Sequence, residues 1–133
     1  MPVDRTRESW KPGMSWEKAV EDIEYIRGLG REMGGPERVE RQHLGGRYTV
    51  RERIEKMVDA GSFIESGPMV GAAEFDEKGN LIEFSPGGYV MGLGEIDGRP
   101  VAIGGDDFTI SGGSPHNVHE VRRHFVNIVR AAA

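Results

Sequence analysis

A chain of 133 residues with 37% hydrophobic and 29% charged side chains has the apolar content for one globular domain with a modest core, and its lack of cysteine excludes disulfides, thiolate metal sites and a Cys nucleophile. The formal charge of −5 is unevenly placed: residues 1–60 carry 12 Lys and Arg against 12 Asp and Glu, whereas residues 61–133 carry 5 against 10, a surface that does not suit a nucleic-acid partner. No apolar run approaches the ~18 to 20 residues of a bilayer span and no signal-peptide core follows "MPVDRTRESWKPG", so a soluble, cytoplasmic protein without membrane contact is expected.

The first 14 residues read as a polar arm, 15–60 as a helical segment and 61–133 as a strand-rich core closed by a helix. Ser15 is placed to cap a helix in which Trp16, Ala19, Val20, Ile23 and Ile26 share one face, with Glu17, Glu21 and Glu24 outside. "GGP" at 34–36 ends it. The charged "ERVERQHL" offers only Val39 and Leu44 as apolar contacts and is expected to be helical only when docked. In "TVRERIEKMVDAG", Thr49 and Glu52 stand at capping-box spacing, Ile54, Met57 and Val58 share a face, and Gly61 is a natural stop.

After Gly61 the pattern changes to strands. "SFIES" and "PMVGA" are short extended segments, and the acidic "EFDEKGN" reads as a loop or hairpin tip. In "GGYVMGLGEIDGRPVAIGGDDFTI" two runs flank Asp97-Gly98, the dipeptide that supplies positive φ to a tight type I′ turn. The last helix is expected to open with Ser114 as N-cap and Pro115 in its first turn, and to carry Val118, Val121, Phe125, Ile128 and Val129 on one stripe.

Three groups of residues are candidates for chemistry. Gly112, Gly113 and Ser114 bring bare backbone amides to the mouth of the last helix, where the positive dipole end favours a ligand oxygen; the same residues also make an ordinary turn with Ser114 as its cap. Arg38, Arg41, Arg47, Arg51 and Arg53 suit contacts with phosphate, or salt bridges along helix surfaces with Glu37, Glu40, Glu52 and Glu55. His116 and His119 are spaced i, i+3, with Glu120 and His124 nearby, but they lack the i+4 spacing of a zincin helix and any cysteine, so no metal is expected. Trp10 and Trp16 read as packing or subunit-contact residues, and no carboxylate pair is assignable to acid–base catalysis.

Five blocks in order, "RQHLGG", "TVRERI", "GSFIE", "GLGEIDGRPV" and "DFTISGGS", carry a family resemblance. Over roughly Gly35 to Phe125 the chain resembles the N-terminal part of the carboxyltransferase (β) subunit of biotin-dependent acyl-CoA carboxylases, of the propionyl-CoA carboxylase type. The resemblance implies an α/β, crotonase-like (ClpP/crotonase) fold: a spiral of β-β-α units, of which 61–133 is the start, preceded by helices. It implies that acyl-CoA binds this N-terminal part and that carboxybiotin arrives from the other side. Backbone amides in oxyanion holes would hold the enolate and the biotin ureido oxygen, because preorganised N–H donors stabilise charge developing on a thioester carbonyl.

The family's subunit is several times longer, and its oxyanion holes lie beyond the stretch matched here. The resemblance therefore implies a component that contributes to acyl-CoA binding and subunit assembly, is inactive alone and holds no cofactor itself. Its partners would be the remainder of the carboxyltransferase subunit, the biotin carboxylase and biotin carboxyl carrier subunits, and further copies of itself. Gly112, Gly113 and Ser114 would face a thioester or pantetheine group, since Asp106 and Asp107 repel phosphate, and the arginines of 38–53 would reach the 3′-phosphate of CoA. The alternative is a truncated, noncatalytic interaction module docking onto a carboxylase complex through an unpaired sheet. A thioesterase or hydratase of the wider crotonase group is disfavoured by the "RERI" and "DFT..GGS" blocks.

Overall fold

The computed structural model describes residues 15–113 and 119–132. Helices α1 (Glu17–Arg31), α2 (Pro36–Leu44) and α3 (Val50–Met57) precede five strands: β1 (Ile64–Glu65), β2 (Gly71–Phe75), β3 (Leu81–Pro86), β4 (Tyr89–Ile96) and β5 (Arg99–Asp106). A 3₁₀ turn at Ser111–Gly113 and helix α4 (His119–Ala132) follow. Strands β1, β4 and β5 form one antiparallel sheet in the order β1-β4-β5, and β2 pairs with β3 in a separate hairpin.

Local chemistry sets the boundaries. Thr49 Oγ1 accepts from Glu52 N at 3.3 Å while Glu52 Oε2 accepts from Thr49 N at 2.7 Å, so the capping box read from the spacing starts α3. Asp97 (φ 52°) and Gly98 (φ 72°) are both left-handed between β4 and β5, as the type I′ turn requires. Asp59, just past α3, holds that turn: its carboxylate accepts from Asp97 N at 3.0 Å and from Gly98 N at 2.8 Å.

Four elements differ from expectation. Ser15 Oγ accepts from Glu17 N at 3.2 Å at the start of α1, yet the apolar face beyond it is open: Trp16 is 65% and Val20 54% exposed. The reason is that α1 packs through its C-terminal end, where a Cβ at Gly30 would overlap the Pro68 carbonyl. Helix α2 forms with no buried residue, because Pro36 presets its first turn and His43 contacts Glu52 at its end. Strand β2 begins only at Gly71, since Val70 N closes a turn onto Gly67 O at 3.1 Å. The second of the two runs flanking Asp97-Gly98 stops at Asp106, and Phe108, Thr109 and Ile110 form a turn rather than strand, for reasons given below. The expected cap Ser114 with Pro115, His116 and Val118 lies outside the described residues.

The core lies between α3 and the sheet. Val50, Ile54 and Val90 form its centre, with Met33, Phe63 and Ile103 around them. Such side chains each contribute about 1.5–3 kcal/mol when removed from water. Gly92 lets β1 approach: a Cβ there would overlap the Ile64 carbonyl. On the opposite face the Phe125 ring of α4 stands edge-on to Tyr89, with centroids 5.9 Å apart.

Candidate functional site

The "DFT" of Asp107-Phe108-Thr109 is a knot. Asp107 is 1% exposed, and its Oδ1 accepts from Thr109 N at 2.9 Å and from the Thr109 hydroxyl at 2.6 Å. The Thr109 oxygen in turn accepts from Gly34 N at 2.8 Å, tying the α1–α2 junction to the end of the sheet. Gly34 has to be glycine, since a Cβ would overlap the Thr109 carbonyl. Once Asp107 folds back onto Thr109, the chain turns, and Ile110 N closes onto Asp107 O at 3.1 Å.

That turn delivers the glycines. Ser111 (φ 48°), Gly112 (φ 62°) and Gly113 (φ 76°) are consecutive left-handed residues. Gly113 N donates to Ile110 O at 3.0 Å, so its amide hydrogen is engaged inside the chain. A Cβ on Gly113 would come 3.2 Å from the Phe108 ring, whereas one on Gly112 meets nothing within 4 Å. Gly113 is thus a seat for Phe108, Gly112 faces open space, and Ser114 lies outside the described residues.

The arginines divide by partner. Arg51 is bidentate to Glu65, with both N···O distances 2.8 Å, and joins α3 to β1. Arg38 lines a cleft of about 690 Å³ beside Ser111, and Arg41 is exposed on α2. Arg47 and Arg53 line a second cleft, of about 410 Å³, between α3 and the outer edge of β5. Ile54, Met57, Ile103 and Phe108 supply its apolar wall, and Gly104 and Gly105 let Tyr89 and Val50 pack against the β5 backbone. Neither Arg47 nor Arg53 has an ion-pair partner among the described residues.

The acids expected to repel phosphate are differently occupied. Asp106 pairs with Arg122 of α4, and Asp107 is buried in the knot. Burial, and next the Asp106 charge, push the Tyr89 hydroxyl above its ordinary range, while Arg122, 5.8 Å from the ring centroid, opposes the shift. At the mouth of the cleft Lys56 Nζ sits 4.6 Å from the Tyr48 ring centroid. Among the described residues no group of three or more His, Asp or Glu is placed to hold a metal ion. Sequence reasoning named Arg47 and Arg53 only within a larger set; the signal that separates them from Arg51 is the Glu at position 65, a pairing that spacing along one helix does not reveal.

Comparison with known proteins gives these residues a context. Residues 41–132 match the carboxyl transferase domain family, and all five signature blocks fall inside that stretch. The chain is 41% identical over 88 residues to the mitochondrial propionyl-CoA carboxylase beta chain of Sus scrofa, covering 65% of this chain and 16% of the relative. It is 39% identical over 100 residues to the propionyl-CoA carboxylase beta chain of Cereibacter sphaeroides, covering 75% of this chain and 20% of the relative. Transcarboxylase 12S, whose structure is described as a hexamer assembly with methylmalonyl-coenzyme A and methylmalonic acid bound, superimposes with a TM-score of 0.63 at 35% identity, over 79% of this chain and 20% of that one. The chain therefore spans no more than a fifth of the length of these relatives.

Proposed function

Since the chain belongs to the carboxyl transferase domain family, whose crotonase-like α/β fold it adopts, we propose that it is the N-terminal component of a biotin-dependent acyl-CoA carboxyltransferase. The observation that carries this reading is the match of residues 41–132, within which the signature residues make the joints of the fold: Thr49 and Glu52 the cap, Arg51 and Glu65 the α3–β1 tie, Asp107 and Thr109 the knot. In the proposed setting the chain helps bind acyl-CoA and assemble the subunit. The remainder of a carboxyltransferase subunit, a biotin carboxylase and a biotin carboxyl carrier are its partners, in the cytoplasm. Biotin is borne by a partner and supplies the activated carboxyl group.

In such a transfer the N–carboxyl bond of the partner-borne carboxybiotin would break, the α-carbon of the thioester would give its proton to the biotin nitrogen so released and bond to the carboxyl carbon, and charge would gather on the thioester oxygen in between. Amide donors fixed beforehand stabilise that charge. Gly112, Gly113 and Ser114 are proposed to lie along the thioester or pantetheine arm. Because Gly113 N is engaged with Ile110 O, the contact rests on Gly112 and Ser114. Gly112→Asn tests it, since Asn tolerates left-handed backbone and would set a side chain in front of the amide.

The second reading, a noncatalytic docking module, is favoured by one observation: Ile64 and Leu93 face each other across β1 and β4 and are both exposed. A chimera separates the two. Residues 41–132 would replace the matching stretch of the Sus scrofa beta chain, and carboxylation of propionyl-CoA would be followed after assembly is checked by sedimentation. We expect an assembled, active chimera; an assembled chimera without acyl-CoA-dependent turnover sinks the enzyme reading. The 133-residue chain alone is expected to give no decarboxylation of methylmalonyl-CoA with free biotin above a blank.

A further inference from the structure

The single Asp-Gly step of the sequence, Asp97-Gly98, makes the turn between β4 and β5. Such a step is chemically fragile. The glycine amide nitrogen attacks the side-chain carbonyl carbon of the aspartate, water leaves, and a five-membered succinimide ring closes. Water then reopens the ring at either carbonyl, giving back aspartate or giving isoaspartate, in which the main chain runs through the side-chain carbon. One water leaves and one returns, so no oxidant or co-reactant is needed. Glycine eases the attack because it has no Cβ to obstruct it. Asp97 and Gly98 are both exposed, a Cβ on Gly98 would meet nothing within 4 Å, and the Asp97 carboxylate has no ion-pair partner among the described residues. Bulk therefore shields nothing at this turn.

The turn has Asp59 instead. Its Oδ2 accepts at 2.8 Å from Gly98 N, the nitrogen that has to attack, and its Oδ1 accepts at 3.0 Å from Asp97 N. To become a nucleophile, Gly98 N must give up its proton and swing toward Asp97 Cγ. A carboxylate on that N–H opposes both steps: its charge disfavours an amide anion beside it, and its second bond fixes the left-handed backbone of the turn. The carboxylate is itself anchored, because Asp59 N donates to Glu95 O at 2.7 Å and Asp59 O accepts from Ser62 N at 3.0 Å. We propose that Asp97-Gly98 is an isomerisation site and that Asp59 protects it from conversion to isoaspartate. An extra main-chain carbon here would disturb the register that sets Ile96 opposite Arg99 and Glu95 opposite Pro100. Nothing in this protection depends on carboxyl transfer, so the two tests fail or succeed separately.

Isoaspartate at position 97 would be followed by peptide mapping and mass spectrometry while the 133-residue chain is incubated at neutral pH, below its melting temperature. The same chain in urea sets the unprotected rate, because Asp59 and Gly98 are 39 residues apart in sequence and separate on unfolding. We expect the folded parent to isomerise at least about tenfold more slowly than the unfolded chain. Folded Asp59→Ala should lose most of that protection, and Asp59→Asn, which keeps one acceptor without the charge, should fall between the two. In urea both variants should match the parent. Thermal melts establish which variants are folded, and if the alanine chain is not, the asparagine chain carries the comparison. A folded parent that isomerises as fast as it does in urea overturns the proposal, as do folded variants no faster than the parent. Variants slower than the parent would make Asp59 a base that promotes the attack, and the assigned protection would be wrong.

Discussion

Helix α3 and the β1-β4-β5 sheet bury Val50, Ile54 and Val90 between them and satisfy one another's polar groups, whereas α1 and the β2–β3 hairpin turn apolar side chains to water. Two isoleucines mark the contrast: Ile54 is 4% exposed and Ile82 66% exposed. The polar groups follow suit. Asp59, Arg51 and Thr109 all bridge elements on the α3 side, while the acid at the β2–β3 tip, Asp76, bonds only within its own turn, to Lys78 N and Asn80 N. One side of the molecule holds itself together and the other presents surface to something else, which fits a component of a larger assembly.

The largest expected effect tests that division directly. Ile54→Ala should cost about 2–5 kcal/mol, through lost burial and the cavity left under Val50 and Val90. Ile82→Ala should change stability by no more than about 0.5 kcal/mol. Urea unfolding of both variants measures the difference, and equal losses would show that the hairpin is part of the core after all.

Next comes the knot. Thr109→Val keeps the shape and removes the hydroxyl, leaving Gly34 N without its acceptor and Asp107 short of one donor. Each buried group so stranded costs about 1–3 kcal/mol. Thr109→Ser, which restores the hydroxyl, should recover most of the loss; a serine variant as unstable as the valine one would place the effect in the methyl group instead.

A third test concerns the exposed side. With Ile82 and Phe75 of the hairpin in water, and Ile64 exposed on the edge strand β1 of the sheet, the chain is expected to self-associate at high concentration in sedimentation velocity. Ile82→Lys should shift it toward monomer while leaving the melting temperature close to that of the parent. A parent that stays monomeric at every concentration would mean that these residues await a different partner.

How much of this was legible in the sequence depends on the range of the interaction. The α3 cap and the β4–β5 turn are written in residues one to three places apart, and both were read in advance from Thr49, Glu52, Asp97 and Gly98. Asp59 closing a turn 38 residues on and Thr109 accepting from Gly34 75 residues back leave no periodic trace. The α1 face shows the opposite failure. Its spacing announces a buried stripe, but burial depends on what else the structure brings near, and the close approach is at the C-terminal end, where Gly30 meets Pro68, while Trp16, Val20 and Ile23 stay exposed. In the candidate site the glycines and arginines were legible as residue types; which arginines stay unpaired was not, because that is decided by Glu65 on a neighbouring strand.

The smallest expected effect lies on the exposed rim of the α3 side and depends on pH. Glu52 is held down to about 2 from its ordinary 4.5, first by the Thr49 backbone N–H and then by His43, whose Nε2 lies 3.0 Å from both carboxylate oxygens. An unfolded chain takes up this proton near 4.5, and the folded chain resists until about 2. The carboxylate therefore stabilises the fold fully above that upper value, and its contribution is lost as pH falls from 4.5 toward 2. Glu52→Gln can still accept from Thr49 N but carries no charge. It should be less stable than the parent at neutral pH, with the gap narrowing as acid is added. The gap stays small because both side chains are substantially exposed, so water and salt screen the pair. Denaturant midpoints of parent and variant at neutral pH and near pH 3 give the comparison. A gap that keeps its size would mean that the cap depends on geometry alone and that the charge on Glu52 adds nothing to it.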